Sequence, residues 1–312
     1  MIYDVRQTTV CGYASPVAHA RHVLRLTPVP RDGQQVYVAS LQVLPEPAHQ
    51  REGLDFFGNH LTWIEIDTPH DVLTVKLAAR VAVEPPSYPP PQSREGGEAM
   101  LSTPPWEQVC EAAFAASDIG PLSPAQFLFP SRMVSLDPEI RDYTRRSFTS
   151  GRPILDAALE LIGRLKSDIV YEIGATTVTT TPPMSFALRR GVCQDFAHIM
   201  ISGLRGLGLP AAYVSGYLRT APRTDSTRLQ GADAMHAWVL LWCGPLLSSP
   251  AGWGGQGGGW IGLDPTNAVL AAEDHVTLAV GRDYTDVAPV DGVILGSGGQ
   301  KMAVSVSVMP VA

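Results

Sequence analysis

Gly191-Val192-Cys193-Gln194-Asp195 opens a run in which Phe196, Ala197, Met200, Ile201, Leu204 and Leu207 recur at the three-and-four spacing of a helix with one buried face. Gly208 and Pro210 then stop it. Cys193 thus falls in the first turn of a helix, where the positive end of the dipole and unpaired backbone N–H groups favour a thiolate and can bind a developing oxyanion. A cysteine placed so is either a nucleophile or a buried, inert thiol. The rest of the chain bears on which.

A thiolate nucleophile needs a base, and the base needs an orienting partner. Ala234-Met235-His236-Ala237-Trp238-Val239-Leu240-Leu241-Trp242 is a short apolar, aromatic run that reads as a buried strand. His236 stands at its start, sharing a face with Trp238, Leu240 and Trp242. Trp260-Ile261-Gly262-Leu263-Asp264 reads as a second strand, ended by Pro265, so a carboxylate stands where the strand turns off. Residues 243–259, rich in Gly, Pro and Ser, suit an irregular hairpin between them. Antiparallel pairing would bring the start of the first strand to the end of the second, and His236 to Asp264.

Four blocks in this order, Gly191-Val192-Cys193-Gln194-Asp195-Phe196-Ala197-His198, Tyr213-Val214-Ser215-Gly216-Tyr217, His236-Ala237-Trp238 and Asp264-Pro265-Thr266-Asn267, resemble the transglutaminase-like superfamily of papain-type folds. The resemblance is to its bacterial branch with an N-terminal β-domain. It extends to Val280-Gly281-Arg282-Asp283-Tyr284 and to Asp55-Phe56-Phe57-Gly58-Asn59, and so covers most of the chain. It implies that Cys193 is the nucleophile, His236 the general base and acid, and Asp264 the residue that holds the imidazole. The fold it implies is α+β: a papain/transglutaminase-like core, its nucleophile on a helix N-terminus packed on an antiparallel β-sheet or barrel, preceded by a β-sandwich-like domain. In that family the stretch from Tyr171 to the nucleophile helix runs along the active-site wall. Tyr171 and Gln194 are therefore candidates for the oxyanion side or the wall, with Tyr171 equally suited to packing beneath the site. One departure is the Gly-rich run at 254–259, in a connection longer than the resemblance leads one to expect; it reads as a flexible insertion, or else as a lid.

The other histidines are read against metal sites. His198, five residues after Cys193, is rotated by roughly 140° from it on a helix and so points elsewhere. His19 and His22 precede Val23-Leu24-Arg25-Leu26, a strand rather than a helix, and His49, His60, His70 and His275 fall in loops or at strand ends with no second ligand at metal-site spacing. Neither a metal nor a cofactor is expected.

The chain has 312 residues, 45% of them hydrophobic, enough for two ordinary domains. Its 23 basic and 30 acidic residues give a net charge of −7, which argues against nucleic acid and anionic membrane as partners. Cys11, Cys110, Cys193 and Cys243 are too scattered for a secreted disulfide framework, and Met1-Ile2-Tyr3-Asp4-Val5-Arg6 lacks the apolar core of a signal peptide. The expected compartment is the cytoplasm.

Residues 1–100 read as a β-rich domain, with strands at 36–43, 61–66 and 72–83. A Pro-rich connector at 84–91 is read as a polyproline-type spacer. The catalytic domain is expected at 101–290, with helices at 138–147, where Asp137-Pro138 is a cap and first-turn pair, and from Pro153 through Leu165. Residues 291–312 form a C-terminal strand segment, Val304 to Val308 alternating as an edge strand. The expected activity is cysteine-dependent acyl transfer on a peptide or protein amide, with water as acceptor (a peptidase or amidase) or an amine (a transglutaminase or ligase). A non-catalytic binding protein on the same fold is the reading from another class. Residues 219–231, with Arg219, Arg223 and Arg228, and the Gly-rich run are candidate recognition loops.

Overall fold

Period-two burial sets the first half of the structure, a computed structural model that describes residues 1–84, 103–220, 229–231, 234–244 and 259–311. The connector beyond Glu84, Arg223, Arg228 and residues 254–258 of the Gly-rich run lie outside these. Six strands come first: β1 (Ile2–Val17), β2 (His19–Leu24), β3 (Gln34–Leu44), β4 (His49–Leu54), β5 (His60–Ile66) and β6 (His70–Val83). Along β1 the odd positions Tyr3, Val5, Gln7, Thr9 and Cys11 are buried, and along β6 so are Leu73, Val75, Leu77, Ala79, Val81 and Val83.

The helices follow: α1 (Trp106–Phe114), α2 (Pro138–Arg145) and α3 (Ile154–Asp168), then a two-residue strand β7 (Val170–Tyr171), α4 (Pro182–Leu188), β8 (Arg190–Gly191) and α5 (Cys193–Gly206). Asp137 caps α2 as its sequence suggests, its carboxylate accepting the Ile140 N–H at 3.0 Å. Next come β9 (Ala211–Leu218), β10 (Met235–Trp242), β11 (Trp260–Asp264), β12 (Val269–Leu270), β13 (His275–Gly281), α6 (Tyr284–Val287), β14 (Val290–Leu295) and β15 (Gln300–Pro310).

Three larger sheets result, ordered β15-β1-β6-β3, β14-β2-β5-β4 and β12-β11-β10-β9-β13. Their pairings are antiparallel. The last two strands of the chain thus return to the N-terminal sheets, β15 lying beside β1 and β14 beside β2. This is the α+β arrangement that the resemblance implies, a helix-bearing core on an antiparallel sheet with a β-domain ahead of it.

The first two sheets share one apolar cluster, which includes Leu24, Ile64, Ile66, Leu73 and Val75. The same face of the first sheet continues onto the third, where Tyr3, Val5, Leu77 and Val81 pack against Tyr217, Val276 and Leu278. Strand β9 is therefore buried over its whole length, with α5 on one face and the N-terminal sheet on the other. That is why it reads as a continuous apolar run rather than an alternating one.

One edge of the third sheet is β13, and two amide side chains from the N-terminal domain cap it. Gln34 accepts the Thr277 N–H at 2.8 Å and donates to the Thr277 carbonyl at 2.9 Å. Asn59 does the same at Val280, with both bonds 2.8 Å. Thr277 and Val280 are three apart and in a regular strand would present their amides to opposite sides. A bulge between Thr277 and Ala279 in the β9–β13 register turns both outward. Asn59 is wholly buried and is held by Asp55, which accepts from its backbone and its side chain at 2.9 Å each. Asn59→Ala strips Val280 of both partners, and a loss of about 2–4 kcal/mol in urea unfolding is expected; a loss under about 0.5 kcal/mol would refute this account of the junction.

Candidate active site

The turn entering α5 is closed by a carboxylate. Asp195 accepts the Val192 N–H at 2.8 Å and the Thr176 hydroxyl at 2.6 Å, an N3 side chain bonded back to the residue before the helix. Burial pushes the Asp195 pKa up, against these hydrogen bonds. A Cβ on Gly191 would fall 2.5 Å from Asp195 Oδ2, so the chain can close here only on glycine. Gly191 also pairs in parallel with Tyr171, across β8 and β7. The closed turn sets Cys193 at the first helical position, half-buried, its Sγ 4.0 Å from the Met235 carbonyl. Burial raises the pKa of the other three thiols: Cys11 moderately, Cys110 to about 11 and Cys243 furthest.

Strands β10 and β11 run antiparallel with Val239 opposite Leu263, which brings His236 and Asp264 together as the strand patterns suggest. His236 Nε2 lies 2.9 Å from Asp264 Oδ2, and both residues are buried. The other ring nitrogen, Nδ1, has no hydrogen-bond partner among the described residues. Burial alone would lower the His236 pKa; the Asp264 charge and hydrogen bond, with a further contribution from Cys193, outweigh it and raise it. Burial works the opposite way on Asp264, and His236 and His275 together hold it well below the usual carboxylate range.

Asp264 is oriented by its own turn. Its Oδ1 accepts the Thr266 and Asn267 N–H groups at 3.0 and 3.1 Å, and its Oδ2 accepts Asn267 Nδ2 at 2.7 Å. The Asn267 amide also grips Gln230, accepting its N–H at 2.9 Å and donating to its carbonyl at 3.3 Å. This sets Gly231 against the imidazole. Its φ is +86°, and a Cβ there would lie 2.6 Å from His236 Nδ1.

Cys193 and His236 open into one cleft of about 230 Å3. Its far wall comes from the N-terminal sheet: Gln7 and Thr9 of β1, Met302 and Val304 of β15. Gln7 is fixed by donating to Thr9 Oγ1 at 2.8 Å and by accepting the Tyr217 hydroxyl. Gln194 lines the cleft as well, its Nε2 donating to the Val178 carbonyl at 3.1 Å. Tyr171 is not among the cleft-lining residues. It packs on the helical core close to Cys193 and Asp264, and burial first, then those two charges, push its pKa up to about 12.

His198 points away from the cleft. It is fully buried, accepts the Tyr284 N–H at 3.2 Å, and burial lowers its pKa to about 4. Arg219 pairs with Asp274 at 3.8 Å. His19 does find acidic neighbours, Glu65 and Asp67, at 3.3 and 2.7 Å, but through different ring nitrogens, and Arg21 also holds Glu65.

Two groups escape a reading of the sequence. His275 is not at an idle strand end: buried at the start of β13, it lies 3.3 Å from Asp264 Oδ2. Gln7 and Thr9 were detectable only as polar residues on the buried face of an alternating strand.

Residues 3–82 match the bacterial transglutaminase-like N-terminal region, and residues 141–265 match the transglutaminase-like superfamily. This chain belongs to the transglutaminase-like superfamily. An uncharacterized protein of Mycobacterium tuberculosis is 34% identical to it over 309 residues, 99% of this chain and 92% of the relative. One from Mycobacterium leprae is 29% identical over 297 residues, covering 95% and 94%. Among solved structures, that of a proposed cysteine protease from Cytophaga hutchinsonii superposes with a TM-score of 0.70 at 20% identity, over 100% of this chain and 92% of the other. At that identity the likeness is one of fold.

If Asp264 is the main group that raises the His236 pKa, Asp264→Asn leaves only the smaller contribution of Cys193 against burial. The imidazole pKa should then fall, and the ring should be neutral at pH 7. Long-range 1H–15N NMR of the histidine ring reports this directly, and a ring still charged at pH 7 in the variant would contradict the assignment.

Proposed function

We propose that this protein is a cysteine-dependent acyltransferase of amide bonds, working through a Cys193-His236-Asp264 triad and a thioester intermediate, with water as its usual acceptor. The observation that carries this reading is the buried 2.9 Å contact of His236 with Asp264, in the same cleft as a half-buried thiol at a helix start. The Cys193 thiolate attacks the amide carbonyl, and the oxyanion meets first-turn N–H groups, Cys193 and Gln194 among them, that have no carbonyl four residues back within the helix. His236 gives its proton to the departing amine, leaving the acyl group on Sγ. It then takes a proton from water as the water attacks the thioester, which frees the acid and restores the thiol.

Water rather than an amine is favoured by the wall chemistry. Among the described residues lining the cleft none is acidic, so an ammonium-bearing acceptor would find no counter-charge there. The uncharged wall, part amide and hydroxyl and part apolar, suits an uncharged side chain on a peptide or protein substrate. No helix among the described residues is long and apolar enough to cross a membrane. Four unpaired thiols fit the reducing cytoplasm, where the nucleophile would stay available.

The test needs no substrate. Iodoacetamide labelling of Cys193, mapped by mass spectrometry across pH, should be fast well below the pKa of ~8.5 of a free thiol. In His236→Ala the rate at pH 6 should fall by about tenfold or more. An ordinary thiol profile in both proteins would remove the enzyme reading and leave a binding protein. With a cleavable peptide, either Cys193→Ala or His236→Ala should lower turnover by about 1000-fold or more.

A further inference from the structure

We infer that His275 is a positioning residue of this triad, a neutral imidazole that holds the same Asp264 oxygen as His236, the two rings 6.4 Å apart; the inference rests on the triad reading above. Its protonation state follows from its two contacts. The Ala272 N–H donates to Nδ1 at 3.3 Å, so Nδ1 carries a lone pair. Nε2 faces Asp264 Oδ2 at 3.3 Å, and a carboxylate there requires a donor. One neutral tautomer, with its proton on Nε2, satisfies both. His275 then brings no second positive charge to Asp264, and the charge of the trio stays on His236, where the thiolate needs it.

The surroundings keep His275 in this state and place. It is buried, with the Trp238 ring edge-on at a centroid distance of 5.2 Å, and Trp238 stacks on His236 at 6.3 Å. His275 also lines a second cavity of about 330 Å3, together with Arg31 and Asp32. Its chain neighbour Asp274 is occupied elsewhere, accepting the Tyr3 hydroxyl at 3.1 Å and pairing with Arg219 at 3.8 Å. Asp264 is thus the carboxylate His275 engages directly. Oδ2 takes three side-chain donors in all, His236, His275 and Asn267, and two of these act only to aim the oxygen at the third.

Two amide variants separate this role from general packing. His275→Gln can place an N–H where Nε2–H stood, while His275→Asn reaches only the Nδ1 position and cannot touch Asp264. The readout is the pH profile of Cys193 alkylation by iodoacetamide, in variants matched to the native protein by thermal unfolding. The Gln variant should keep the native low-pH limb to within about threefold, and the Asn variant should lose about tenfold in rate at pH 6, the cost of one hydrogen bond to a charged group. Equal profiles for the two variants overturn the inference and leave the triad reading standing. A native protein with an ordinary thiol profile overturns both.

Discussion

A fully buried carboxylate is the constraint around which the site is built. Moving an ion such as Asp264 out of water costs on the order of 20 kcal/mol in the idealised limit and several kcal/mol in real proteins. The cost is met only if every lone pair finds a donor. Here the backbone N–H groups of Thr266 and Asn267 serve one oxygen, and His236, Asn267 and His275 serve the other. Each donor is thereby fixed in turn. The Asp264-Pro265-Thr266-Asn267 turn needs its sequence to supply two of the N–H groups, the Asn267 amide reaches on to Gln230, and His275 must start β13 at this height. The imidazole of His236 inherits its orientation and its raised pKa from this assembly.

Cys193 is placed by a separate device of the same kind. Asp195, also buried, accepts the amide that the turn would otherwise leave unpaired, and Gly191 gives it room. Because Cys193 follows directly, the position of the sulfur is set by backbone closure rather than by side-chain packing. The thiol remains half-buried.

The two domains are joined where these devices meet. Gln34 and Asn59 complete the backbone pairing of β13, the strand that carries His275, and β1 and β15 form the wall facing Cys193. An edge strand left open would be free to pair elsewhere. Covering it with side-chain amides secures the sheet. The N-terminal domain is thus part of the site as well as a neighbour of it.

Much of this was legible in the sequence by itself. Local pattern determined the helix that begins at Cys193, the Asp137 cap, the strands bearing His236 and Asp264, and their antiparallel pairing, because period and turn chemistry act over a few residues. The partnership of His236 with Asp264 followed from that pairing alone. Tertiary structure decided the rest. His275 meets Asp264 across β9 and β10, Asn59 meets Val280 from 221 residues away, and β14 and β15 return to the first sheets. Gln7 and Thr9 reach the cleft for the same reason. Such contacts depend on which faces are stacked and on a one-residue bulge in β13, and neither leaves a periodic trace in the chain.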